Sequence, residues 1–117
     1  KKSEENSLKS FTVKNKEFKR LTFKFNENFI AYGVGANTLR SLKMFNIDLS
    51  KIKLFIDNNS KYHGNKINGI KVVSPLEIIN SLHNIVIFSE LYFEEIKASL
   101  LEKGFKGKII NFWSELK

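Results

Sequence analysis

Cysteine is absent from the 117-residue chain. That excludes disulfides, thiolate nucleophiles and thiolate metal sites together, and it fits a reducing compartment. No apolar run approaches the roughly 20 residues needed to span a bilayer, and the lysine-rich start lacks the apolar core of a signal peptide. A cytoplasmic chain with no membrane span is therefore expected. Arginine is scarce: of twenty cations only Arg20 and Arg40 are arginine, the residue best suited to bidentate recognition of phosphates and bases. Histidine is equally rare. His63 and His83 stand twenty residues apart with no metal-ligand spacing, so both read as turn or surface residues and no metal site is expected.

What is present describes one folded unit. Hydrophobic residues make up 42% of the chain, with eleven Phe, enough apolar material to offset the entropy of ordering a single domain. The formal charge of +8 invites a nucleic-acid reading. Its distribution argues against one, since residues 1–24 hold eight Lys/Arg against three Glu, a net of +5, and the other 93 residues carry only +3. The rest of the basicity reads as a solvated lysine surface.

Residues 1–28 read as a polar leader. Within it Leu8, Phe11, Phe18, Leu21 and Phe25 recur at helical spacings, which predicts an amphipathic helix and suggests a start cut from a longer polypeptide. Residues 29–117 read as a Rossmann-like nucleotide-binding domain. Strands are expected at 29–32, 52–56, 70–73, 84–88 and 108–112, and helices at 37–45, 75–82 and 93–103. Ser74-Pro75-Leu76-Glu77 has the form of a capping box with proline at the first helical position. Strands alternating with helices over short connections imply right-handed crossovers. The expected fold is a three-layer α/β domain with a five-stranded parallel sheet in the order 3-2-1-4-5.

Tyr32-Gly33-Val34-Gly35-Ala36-Asn37-Thr38 follows a predicted strand and opens a predicted helix. In that context a first glycine permits a tight turn, a second lets the backbone approach a ligand, and the helix N-terminus offers unpaired N–H groups to a phosphate. Asp57 follows Gly35 by twenty-two residues at the end of the second strand, where an acidic residue can accept hydrogen bonds from a ribose. Thr38 occupies the third glycine position, which favours a more loosely specified nucleotide or nucleotide-sugar over NAD. Ligands of open α/β sheets lie where the strand order reverses. Here that crevice would be lined by residues 33–38, by Asp57, Asn58 and Asn59, and by Ser89, Glu90, Leu91 and Tyr92, with Glu90 the only carboxylate near it besides Asp57. Ser89 and Tyr92 serve equally well as capping and packing residues, and no residue is assigned a catalytic role.

Tyr32-Gly33-Val34-Gly35, Phe55-Ile56-Asp57-Asn58-Asn59, Gly64, Asn68-Gly69-Ile70-Lys71-Val72 and Ser74-Pro75-Leu76-Glu77 together resemble a small Rossmann-like domain of bacterial surface-sugar biosynthesis. Similar domains form the carboxyl-terminal part of sugar C-methyltransferases and the amino-terminal part of sugar acyltransferases, and accompany glycosyltransferases. The resemblance covers residues 29–112. It implies a domain that binds a nucleotide or nucleotide-sugar through Gly33, Gly35, Asp57 and Asn58, beside a covalent neighbour domain or in a homo-oligomer. Asn37-Thr38-Leu39 echoes the methyltransferase-linked version. Ser60 departs from it, standing where a proline often follows the two Asn.

Nucleotide-sugar, NAD(P) and S-adenosylmethionine all remain open as ligands. The alternative function is an NAD(H)- or CoA-binding sensor that passes its state to a partner through the leader.

Overall fold

The computed structural model describes residues 27–45 and 47–115. The expected leader helix lies outside them. Among the described residues six strands form one sheet: β1 (Phe29–Tyr32), β2 (Ile52–Ile56), β3 (Lys66–Ile67), β4 (Ile70–Val73), β5 (Asn84–Ile87) and β6 (Ile109–Asn111). Three α-helices of the same residues accompany them: α1 (Ala36–Met44), α2 (Phe93–Glu102) and the single turn α3 (Phe112–Glu115).

The strands lie in the order β3-β4-β2-β1-β5-β6. All neighbours are parallel except β3 and β4. The sheet thus has six strands rather than the expected five, and the extra one is an antiparallel edge. Its cause is Asn68-Gly69, whose φ angles of 51° and 81° supply the two successive left-handed residues of a two-residue hairpin turn. The turn reverses the chain so that Lys66 faces Lys71 and Ile67 faces Ile70.

β1 is buried along its whole length, as expected of a central parallel strand covered on both faces. Side chains alternate across a strand. Phe29 and Ala31 therefore join one core with Leu42 and Phe45 of the α1 region, Phe55, Val86, Phe88 and Phe112. Ile30 and Tyr32 join a second core with Ile56, Ile85, Ile87, Phe93 and Leu100 of α2. Helices consequently cover both faces, α1 and α3 on one and α2 on the other.

The expected helix over 75–82 is shorter than its capping signal suggested. Ser74 and Glu77 do form a capping box, but only a 3-10 turn over Pro75–Ile78 results. The Ser81 amide bonds the Ile78 carbonyl, three residues back, at 2.9 Å. The Ser81 hydroxyl then accepts the His83 amide at 3.1 Å, a local bond that turns the backbone out of the helix. The last strand also ends earlier than expected, because Asn111 Oδ1 accepts the Trp113 amide at 3.0 Å and starts α3.

Candidate functional site

β1 passes into α1 through Gly33, Val34 and Gly35. Gly33 has φ +98°, a left-handed conformation costly for any side-chain-bearing residue. Its amide donates to the Ile56 carbonyl at 2.6 Å, binding the turn to the end of β2. A Cβ on Gly33 would stand 3.0 Å from Thr38 Oγ1. Thr38, in place of the third glycine, is buried against the turn.

Asp57 is committed to the same turn. Its Oδ2 accepts the Val34 amide at 3.0 Å and its Oδ1 accepts the Asn59 amide at 2.8 Å. The carboxylate is thus a strut joining β2, the glycine turn and the following loop, by hydrogen bonds to an ionised acceptor that exceed neutral ones in strength. His63 closes the loop: its Nε2–H donates to the Asp57 carbonyl at 2.6 Å. Tyr32 lies below; burial, reinforced by the negative charge of Asp57, raises its phenol above the ordinary value.

Gly35 is different. It is the N-cap of α1 in an extended conformation and makes no side-chain cap, and the first helical turn holds no acidic residue. A Cβ there would meet nothing within 4 Å. Ala36 and Asn37 are exposed beside it.

A cleft of about 470 Å³ opens beside the carboxyl end of β5, against α1. One wall is α1, through Asn37, Arg40, Ser41 and Met44. The other is the loop after β5, through Ser89, Glu90, Leu91 and Tyr92. Its base is aromatic, formed by Phe45, Phe88 and Trp113. Trp113 is fixed there because its indole N–H donates to the Phe88 carbonyl at 2.6 Å and its ring packs edge-on against Phe45 and Phe112.

The cleft adjoins the point at which the strand order reverses, since one of its walls is the helix that leaves β1 and the other is the loop that leaves β5. Of the residues expected at the site, Asn37, Ser89 and Tyr92 line it. Ser89 also holds the loop, its hydroxyl accepting the Tyr92 amide at 3.1 Å. Tyr92 is 53% exposed at the rim. Gly33, Val34 and Thr38 are occupied in building the turn, Val34 being buried, while Gly35 and Ala36 sit at its outer edge. Asn58 and Asn59 are exposed and are not among the cleft residues. The Asn59 side chain accepts the Lys61 amide at 3.1 Å.

Glu90 and Leu91, expected in the crevice, also line the cleft, and Arg40, Ser41, Met44, Phe45, Phe88 and Trp113, which belong to no motif, complete it. Arg40 carried the one usable signal, being an arginine in a chain of lysines at one helical turn from Asn37. Among the described residues no group of three His, Cys, Asp or Glu could hold a metal ion. No described helix is long and apolar enough to cross a membrane.

The family model described as C2185-like, N-terminal, matches residues 25–110, and the chain belongs to that family. The matched span contains every strand but the last residue of β6, the whole glycine turn and all of the cleft except Trp113. No curated protein matches the chain.

Proposed function

We propose that this C2185-like domain is a Rossmann-like module that binds a nucleotide or nucleotide-sugar in this cleft, within a larger sugar-modifying transferase. The carrying observation is the cleft itself: its 470 Å³ falls within the roughly 300–1,000 Å³ of small-molecule sites. It combines an aromatic base with a few convergent polar groups, the usual composition of such a site. The parallel strands, taken in chain order without the antiparallel edge, run 3-2-1-4-5, which supports the Rossmann-like reading.

Binding by this route has three parts. Arg40 and the uncapped amino end of α1 attract the phosphates. Tyr92 and Trp113 present ring faces to a base or sugar. The glycine turn, held by Asp57, keeps α1 at the height that makes the wall. The chemistry of transfer belongs to a neighbouring domain in this reading, and the module supplies affinity and orientation.

A thermal-shift screen of the purified chain tests this directly, using UDP-, GDP-, CDP- and dTDP-sugars, NAD(H), NADP(H), CoA and S-adenosylmethionine. A selective rise with one nucleotide-sugar is expected. A rise with NAD(H) or CoA alone would replace the reading with a sensor, and one with S-adenosylmethionine alone would replace it with a methyl-donor site. No rise with any of them would remove it.

A further inference from the structure

The two acidic residues at the carboxyl ends of β2 and β5 have different partners. Asp57 has both carboxylate oxygens engaged by backbone amides and is not among the cleft residues. Glu90 lines the cleft and is exposed. Arg40 lines the opposite wall, also exposed. Among the described residues no hydrogen bond or ion pair engages the side chain of Arg40 or of Glu90, so with respect to those residues the cleft presents one cation and one anion across a common space.

We infer that Glu90, and not Asp57, is the carboxylate that reads ligand hydroxyls in this site, with Arg40 as its phosphate-reading cation. The inference rests on the cleft being the ligand site, as proposed above. A carboxylate is an acceptor-only group well matched to a sugar or ribose hydroxyl, and a guanidinium matches two phosphate oxygens at once. A ligand carrying both groups satisfies both walls. A bare polyanion satisfies Arg40 but is repelled by Glu90, and a neutral sugar leaves Arg40 without a counter-charge. The ligand class is therefore a phosphorylated, hydroxyl-bearing small molecule lying across the cleft, phosphates toward α1 and hydroxyls toward the loop after β5. Tyr92, which stands two residues beyond Glu90 at the rim, offers its ring to the same end of the ligand.

Two probes separate the roles: inorganic pyrophosphate, and a panel of UDP-glucose, dTDP-glucose, CDP-glucose and GDP-mannose. Affinities are measured by calorimetry on the whole chain and on Arg40→Gln, Glu90→Gln and Asp57→Asn, each first checked for a cooperative melt. Arg40→Gln is expected to weaken both probes about tenfold or more. Glu90→Gln is expected to weaken the nucleotide-sugar about tenfold and to strengthen pyrophosphate, an inversion that a merely structural role would not produce. Asp57→Asn is expected to lower the melting temperature while the folded protein keeps its nucleotide-sugar affinity within about twofold.

Unchanged nucleotide-sugar affinity in Glu90→Gln, or its loss in a folded Asp57→Asn, would overturn the assignment of the carboxylate. Unchanged pyrophosphate affinity in Arg40→Gln would overturn that of the cation. Absence of binding by the unsubstituted chain to every probe would instead overturn the cleft as a ligand site, and this inference with it.

Discussion

Gly33 and Gly35, two residues apart, differ at the residue scale, because one is required by the fold and the other is not. Gly33 sits at φ +98° with Thr38 Oγ1 at the limit of contact. Gly33→Ala should therefore cost about 1–3 kcal/mol in urea unfolding, from left-handed strain and the displaced threonine. Gly35 has ordinary backbone and open space, so Gly35→Ser should raise stability by a few tenths of a kcal/mol by supplying the missing N-cap. The same substitution should weaken pyrophosphate binding if the uncapped amides serve the ligand. Asp57→Ala leaves the Val34 and Asn59 amides without their acceptor, and a loss of about 1–3 kcal/mol in denaturant unfolding is expected. Tyr32 gives a pH signature. Its folded value is raised, first by burial and then by Asp57, so its contribution is complete below the ordinary tyrosine range and is lost as pH rises through the folded value.

At the element scale, strands were easier to anticipate from sequence than short helices. Phe29-Ile30-Ala31-Tyr32 and Ile85-Val86-Ile87 are apolar runs whose burial on both faces leaves little choice of conformation. The strand β3 was missed because two residues have no periodicity, although Asn68-Gly69 carries the hairpin signal by itself. The segment 75–82 misled in the other direction: a genuine capping box begins it, but capping fixes where a helix starts and not how far it runs. Ser81 ends it through a hydroxyl bond that no helical pattern reports. The hairpin also carries a testable fault. Lys66 and Lys71 stand directly opposite one another, and Lys71→Glu should stabilise the protein by about 0.2–1 kcal/mol at low salt. High salt should shrink that gain in parallel thermal melts.

At the scale of the whole molecule, the glycine turn was legible because its residues are consecutive, and residues 89–92 because they follow a clear strand, whereas Arg40 and Trp113 were not, because they come from distant segments that no motif joins to that loop. Sequence spacing assigned Asp57 to a ligand, and in the structure both of its carboxylate oxygens accept backbone amides of the turn and the loop. What the sheet adds is position: α1, leaving β1, and the loop leaving β5 stand on either side of a gap, and Phe45, Phe88 and Trp113 close its base. Trp113 is the sole tryptophan of the sequence and forms part of that base, so its fluorescence reports on the proposed site without any label. Titration of the unsubstituted chain with the nucleotide-sugar panel should give a saturable change in Trp113 emission with at least one of them, weakened in Arg40→Gln. Saturable thermal stabilisation with an unmoved Trp113 signal would put the ligand elsewhere on the molecule, and no saturable response by either readout would contradict the cleft as a nucleotide site.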